Sequence, residues 1–218
     1  IELDEVECKS CIKNLHQITD KYGVKDINWN ILNADTLTID QFNGKMDFVF
    51  GNPPYVRVHN LETSYDSVKK FKFAKDGMTD LFIVFFEIGF KMLAKEGVMC
   101  LITPSSWLSS LAGKTLREYI FLYHNLSGVI DLEHFQPFEA TTYTLISRFH
   151  NSKKFEQIEY FNFDEDKMAE CFQEYIPYNN IQIKGNLYLS KNENLDLLRK
   201  INSLFPIRTY PSKMVLPH

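Results

Sequence analysis

Hydrophobic residues recur at helical spacing near the start of the chain. Over residues 5–22 they form one stripe, made of Val6, Ile12, Leu15, Ile18 and Tyr22. This spacing predicts an amphipathic helix, because residues three and four apart lie on the same side of a 3.6-residue turn. Asp4 is placed to cap the first turn, and Gly23 is placed to end the last one.

Apolar runs then alternate with helical patterns. Three runs predict buried strands: residues 27–35, 46–50 and 98–103. Two stretches predict helices: residues 79–93, apolar nearly all round and capped by Thr79, and residues 114–124. The intervening residues 56–77 are polar, rich in lysine and without a clear period, which is typical of a long functional loop.

This alternation predicts an α/β fold with a doubly wound parallel sheet. Two more strands, residues 126–135 and 141–149, follow without a helix between them, which predicts an antiparallel strand at the edge of the sheet. Asp35, the turn at Asn52 and Pro104 each follow a predicted strand. They should therefore line one crevice at the carboxyl ends of the strands.

The composition changes near residue 150, where Asn, Lys, Glu and Tyr begin to dominate. We therefore predict a core domain over residues 1–150 and a connecting segment over residues 151–218. The clearest helical pattern in that segment covers residues 192–205.

Net charge narrows the class of protein. The chain has 218 residues and a net charge of −4, so it lacks the overall basic field of a typical nucleic-acid-binding domain. Any contact with DNA must come from a local patch or from other parts of the protein. Aromatic residues make up 14% of the chain, which indicates either core packing or surfaces that stack planar ligands.

Location and metal content can also be judged from the sequence. The N-terminus is acidic, unlike a signal peptide, and the most apolar run is about 14 residues, too short to span a bilayer. Four scattered cysteines are typical of the reducing cytoplasm. Cys8 and Cys11 form a C-x-x-C, but no second pair with zinc-site spacing follows. We interpret them as small apolar residues one helical turn apart and expect no metal site.

The clearest chemistry lies in the stretch MDFVFGNPPYVR, where a strand ends in Asn52, Pro53, Pro54 and Tyr55. Adjacent prolines remove two N–H donors and stiffen the turn. The Asn52 side-chain carbonyl and the Pro53 main-chain carbonyl are then two acceptors at a fixed separation, which match a planar amino group with two hydrogens. Gripping both hydrogens favours a tetrahedral nitrogen with its lone pair free to attack an electrophile. Tyr55 can stack on the planar group.

These residues, with later segments in order, resemble S-adenosylmethionine-dependent amino-methyltransferases. The likeness is chiefly to N6-adenine DNA methyltransferases of type I and type IIG restriction systems, and it covers about residues 1–150. It implies a Rossmann-like sheet and a cofactor bound by Glu2, Asp35 and Asn52. Glu2 would bind the ribose hydroxyls of the cofactor, and Asp35 the amino group of its adenine.

The resemblance also implies double-stranded DNA with an adenine flipped out of the helix as the partner. Phe138 would stack on the face of that base opposite Tyr55, although Phe135 is close enough to take this role, and either ring could be core. Several cations could follow a phosphate backbone or simply be solvated: Arg57, His59, Lys69, Lys70, Lys72 and Lys75.

Three alternatives to a DNA methyltransferase are compatible with the same turn. A protein glutamine methyltransferase or an rRNA amino-methyltransferase would use the same two acceptors, and a non-catalytic fragment would fold without turnover. DNA is favoured as the substrate by three features: the loop at 56–77, the Phe138 segment and the region after residue 150.

Glycine usage suggests that the chain is a fragment. It has nine glycines and no G-x-G, whereas a cofactor of this kind is normally held by a glycine-rich turn. The resemblance places residues 1–4 at the family's second motif, so the first strand would lie upstream. We therefore expect the 218 residues alone to be inactive, with the rest of the enzyme or a specificity subunit as partners.

Overall fold

The central sheet has six strands in the computed structural model, which describes residues 1–58, 65–75, 79–138 and 143–204. In chain order they are β1 Met46–Gly51, β2 Leu93–Pro104, β3 Leu126–Asp131, β4 Thr144–His150, β5 Gln157–Asp164 and β6 Ala169–Pro177. Their order in the sheet is β1-β2-β4-β3-β5-β6. A separate two-stranded hairpin consists of β7 Gln182–Ile183 and β8 Asn186–Leu187.

Most of the strands point the same way. β1 is parallel to β2, and β3 is parallel to β5, whereas β4 is antiparallel to both β2 and β3. β6 is antiparallel to β5. Strands β1, β2, β3 and β5 therefore share one direction, and the predicted mixed α/β fold with a mostly parallel sheet is confirmed.

Six helices accompany the strands in the described part of the chain. They are α1 Glu5–Lys21, α2 Tyr65–Val68, α3 Leu81–Met92, α4 Lys114–Tyr123, α5 Tyr178–Ile181 and α6 Asn192–Leu204. Two 3₁₀ turns cover Lys72–Ala74 and Ser105–Leu108. The predicted cap of α1 is confirmed, because the Asp4 carboxylate accepts the Val6 N–H at 2.7 Å and the Glu7 N–H at 3.2 Å.

Helices α3 and α4 cover one face of the sheet. The core contains Phe86 of α3, Ile120 of α4 and Met99 of β2, all fully buried. The approach of α3 is close: a Cβ on Gly89 would lie 2.2 Å from the Met99 sulfur. This contact fixes the distance between α3 and the strands that carry the candidate site.

The position of the antiparallel strand differs from the prediction. β4 lies between β2 and β3, inside the sheet, and not at an edge. The sheet continues on the far side of β3, because Gly128 to Asp131 pair with Glu159 to Asn162 of β5. The predicted boundary at residue 150 thus falls between two strands of one sheet.

The predicted strand at 27–35 was wrong. Within the described residues its pairing is one parallel bridge between Asn33 and Glu2, closed by two hydrogen bonds of 2.9 Å. A strand requires a ladder of such bonds along a neighbour, and alternation of apolar residues alone cannot supply it. The cap of α3 was also misplaced: Asp80, not Thr79, occupies the N-cap position.

Candidate active site

The Asn-Pro-Pro turn begins where β1 ends at the carboxyl edge of the sheet. Asn52 is exposed and Pro53 is buried. Within the described residues, neither the Asn52 side chain nor the Pro53 carbonyl has a hydrogen-bond partner. The two acceptors of the turn are therefore available to a ligand.

Tyr55 is held in place from two sides. Its hydroxyl donates to the carbonyl of Ile102 in β2 at 3.4 Å, and its ring meets Phe82 of α3 edge to face at 6.3 Å. Burial raises the pKa of the Tyr55 phenol above its ordinary value, so the hydroxyl stays protonated at neutral pH. The ring is thus an oriented, uncharged surface beside Asn52.

Of the two predicted stacking candidates, Phe138 and Phe135, Phe138 lies beside Tyr55. Their ring centroids are 6.3 Å apart at an interplanar angle of 82°, and Phe138 is 39% exposed. Phe135 instead packs against Phe163 of β5, with centroids 4.6 Å apart. Because Tyr55 and Phe138 meet edge to face, at least one ring must turn before a flat base can stack between them.

The Glu2–Asn33 bridge places Glu2 beside the segment that carries Asp35. The Glu2 carboxylate accepts the Asp4 N–H at 3.0 Å, and one Asp35 oxygen accepts the Leu37 N–H at 2.9 Å. Their chain neighbours Ile1 and Thr36 line a cavity of about 240 Å³. The same cavity is lined by Gly51, Asn52, Pro53 and Phe85. The turn therefore lines this cavity, and the two predicted acids are next in sequence to residues that line it.

Arg57 stands next to the turn. Residues 56–58 pair with residues 79–81, through the Val58 N–H to the Thr79 carbonyl at 3.1 Å and the Leu81 N–H to the Val56 carbonyl at 2.7 Å. This pairing holds the exposed Arg57 opposite Asp80. His59, the other cation predicted here, lies outside the described residues.

The predicted lysines are not gathered at Asn52. Lys69, Lys70 and Lys72 are exposed, while Phe71 and Phe73 of the same segment are buried against α3. Lys72 lines a different cavity together with residues of the last turns of α3 and α4. None of these three lysines lines the cavity at the Asn52 turn. Their contact with DNA stays a prediction.

One residue that positions this region was missed by sequence reasoning. Glu87 of α3 is 6% exposed; its carboxylate accepts the Phe73 N–H at 2.9 Å and pairs with Lys91 at 2.7 Å. The available signal was a single acid in an apolar helix, since such a charge is rarely buried without partners.

Two features are absent from the described residues. No group of His, Cys, Asp and Glu side chains in them is arranged to hold a metal ion. Cys8 and Cys11 lie on α1, the first buried and the second exposed. None of the described helices has the length and apolar character needed to cross a bilayer.

The model of the Eco57I restriction-modification methylase family matches residues 2–138, well over half of the chain. The chain belongs to this family. It is 29% identical over 146 residues to the type II methyltransferase M.BstVI of Geobacillus stearothermophilus, covering 61% of this chain and 26% of that protein. It is 27% identical over 203 residues to the type II methyltransferase M.AccI of Acinetobacter calcoaceticus, covering 84% and 37%.

A solved structure shares the fold of this Eco57I-family chain. It is the methyltransferase subunit of a type I restriction-modification system from Streptococcus thermophilus, with a TM-score of 0.51 and 19% identity. The match covers 85% of this chain and 38% of that one. The chain thus spans between a quarter and two fifths of the length of these relatives.

Proposed function

We propose that the chain belongs to a DNA methyltransferase of a restriction-modification system and binds the amine that is methylated. The enzyme transfers a methyl group from S-adenosylmethionine to the N6 amino group of adenine. The observation that carries this proposal is the pair of unpaired acceptors at the end of β1, with Tyr55 and Phe138 beside them. Membership of the Eco57I family supports methyl transfer to DNA.

The turn acts on the nucleophile. The Asn52 side-chain oxygen and the Pro53 carbonyl accept the two hydrogens of the amino group and stabilise the positive charge that develops on nitrogen as it is alkylated. The nitrogen lone pair would form the new N–C bond as the bond between the methyl carbon and the cofactor's sulfur breaks, with that electron pair staying on sulfur. One proton then leaves the alkylated, acidic nitrogen for solvent. No general base is needed at the turn, because the proton is lost only after its acidity has risen.

The two acids Glu2 and Asp35 have side chains suited to binding the cofactor. Asp35 and Glu2 would hold its adenine and ribose hydroxyls, next to the cavity whose walls include Phe85 and the Asn52 turn. When bound, S-adenosylmethionine supplies an electrophilic methyl group on a sulfonium. The chain's own residues orient the two partners, because Asn52 touches the cavity on one side and the target amine on the other.

The DNA partner must present its adenine outside the helix, since the amine cannot reach Asn52 while stacked. Tyr55 and Phe138 would receive the extruded base, and Arg57 lies close enough to the turn to contact a flanking phosphate. We propose that sequence recognition comes from other parts of the enzyme or from a specificity subunit.

The test is Asn52→Ala in the complete natural protein that contains these residues. Methyl transfer to duplex DNA should fall by about 10²–10³, the cost of losing one charge-stabilising acceptor. Cofactor binding should change little, because the acids remain. Glu165→Ala, a substitution in the exposed turn between β5 and β6, is the control and should keep full activity.

Substrate choice is tested by offering labelled cofactor with duplex DNA, RNA and a release-factor-like protein. Label on the N6 of adenine in DNA is the expected outcome. Label on RNA or on a glutamine would overturn the assignment of substrate, and an Asn52→Ala rate within a few-fold of the parent would overturn the role of the turn.

A further inference from the structure

A second, larger cavity lies away from the Asn52 turn. It occupies about 430 Å³ between α3, α4 and the turn Lys72–Ala74, which is within the usual size of ligand sites. Both helices run from the carboxyl edge of the sheet to its amino edge, and their last turns line the cavity through Phe90, Lys91, Leu122 and Tyr123. None of its lining residues also lines the cavity at the Asn52 turn, so the two cavities are separate.

The wall of this cavity is a continuous set of aromatic rings. Tyr119 contacts Phe90 at 4.9 Å, Phe73 at 5.5 Å and Tyr123 at 4.5 Å between centroids. Tyr123 is 45% exposed, so part of the wall is open to a ligand. Burial and the neighbouring Tyr123 raise the pKa of Tyr119, which therefore stays an uncharged phenol at neutral pH.

A smaller cavity of about 250 Å³ adjoins the first, since Tyr119 and Tyr123 line both. Its other walls carry the exposed cations Lys153 and Lys154, and no acid is among its lining residues. Asn125 also lines it; this residue is 4% exposed, and its side-chain oxygen has no partner within the described residues.

The charges of the two cavities differ. In the larger one, the Lys91 ammonium is paired with Glu87 at 2.7 Å, and Glu118 offsets Lys72. The larger cavity is therefore close to neutral and apolar, while the smaller one is positive. A ligand that fits both has a flat apolar part and, a few ångströms away, an anionic part.

We propose that these two cavities together bind one nucleotide unit, with the base against Tyr119 and Tyr123 and the phosphate against Lys153 and Lys154. The sugar would lie between, where a hydroxyl can donate to the Asn125 oxygen. Ring faces of this kind stack any base, and two lysines in a cavity with no acid among its lining residues suit a phosphate. The unit could come from a free nucleotide or from a single strand of nucleic acid.

Binding by the 218-residue chain is measured by calorimetry with two probes, adenosine 5′-monophosphate and a single-stranded oligonucleotide of about ten residues. Saturable binding is expected for at least one probe. Tyr123→Ala should weaken it about tenfold or more, because one stacking face is lost. The double variant Lys153→Gln/Lys154→Gln should weaken it and flatten its dependence on salt.

Matched controls lie on α1 and after it. Tyr22→Ala removes a tyrosine that is more exposed than Tyr123, 72% against 45%, and Lys13→Gln/Lys25→Gln removes two exposed lysines. Both should bind as the parent does. Circular dichroism checks that the variants fold. If Tyr123→Ala does not fold, the double variant Lys153→Gln/Lys154→Gln tests the proposal.

Three outcomes would overturn the proposal. The first is no saturable binding of either probe. The second is binding that Asn52→Ala abolishes while Tyr123→Ala and the lysine pair leave it intact, which would place the nucleotide in the other crevice. The third is binding of an acidic aromatic peptide but of neither nucleotide probe, which would make the surface a protein-docking site. A preference between the two probes identifies the source of the nucleotide unit.

Discussion

At the scale of single residues, the contact between Tyr55 and Phe138 determines how a base could enter. Tyr55 is anchored by Ile102 and Phe82, whereas Phe138 is 39% exposed and lies seven residues after the end of β3. Phe138 is therefore the ring with more freedom to turn. We expect the base to stack first on the fixed face of Tyr55 and Phe138 to close over it.

The prediction at this scale is that Phe138→Ala weakens the extruded state of the target base by roughly 1–3 kcal/mol, the value of one base–aromatic stack. The fluorescence of 2-aminopurine at the target position, measured with the complete protein, reports extrusion. Phe135→Ala is the matched control, because its ring contacts Phe163 instead of Tyr55. A loss of signal change in Phe135→Ala alone would reverse the assignment of the two rings.

At the scale of elements, Glu87 links the segment at 65–75 to α3. Its carboxylate accepts a hydrogen bond from the Phe73 N–H in the 3₁₀ turn and pairs with Lys91, one turn further along the helix. The ring of Phe71 lies under the same lysine, with the Lys91 ammonium 4.8 Å from its centroid. One buried acid therefore decides whether this lysine-bearing segment stays against the helix.

We expect Glu87→Ala to lower the free energy of unfolding by roughly 1–3 kcal/mol, since a buried N–H loses its acceptor. Urea unfolding measures this change, and faster hydrogen exchange at the Phe73 amide localises it. Glu118→Ala is the control: this glutamate is exposed, 3.9 Å from Lys114, and its removal should cost less than about 0.5 kcal/mol. Equal losses in both variants would show that Glu87 has no special role.

The elements also show which patterns can be read from sequence. Helices α1, α3 and α4 and strands β1 to β4 were predicted because their apolar periods are strong. Strands β5 and β6 were missed, since their residues alternate within a charged background and gain stability from pairing with β3 and with each other. The false strand at 27–35 has the reverse cause: a suitable pattern with a single paired residue.

The candidate site also has features that the sequence could predict and features that it could not. The Asn52 turn and its aromatic neighbour Tyr55 could be found from the sequence, because two adjacent prolines constrain the backbone locally. The choice between Phe138 and Phe135 could not, since it depends on how residues 131–138 fold back toward β1. The separation of the lysines from Asn52 was hidden for the same reason: it follows from the packing of Phe71 and Phe73 on α3.

At the scale of the whole molecule, the two faces of the sheet differ. Val49 of β1 points toward α3, so Phe48 and Phe50 lie on the opposite face, where they are 64% and 71% exposed. Their rings are nearly parallel, with centroids 6.0 Å apart. Exposed apolar side chains on an edge strand favour association of chains.

We expect the 218-residue chain to self-associate in a concentration-dependent way, and Phe48→Ser/Phe50→Ser to weaken this association roughly tenfold. Sedimentation velocity over a range of concentrations measures the change. Met168→Ser, a substitution in the turn between β5 and β6 at a residue 67% exposed, is the control and should leave association unchanged. A monomeric parent chain would contradict the expectation.

The proline pair also limits how binding at the turn can be observed. Positions 53 and 54 have no amide proton, so they give no signal in hydrogen exchange or in amide-detected nuclear magnetic resonance. A ligand seated on the Pro53 carbonyl would be silent to both methods at the very atoms it touches. The side-chain NH₂ of Asn52 and a carbon-13 label in the proline rings are the spectroscopic probes that report directly from this turn.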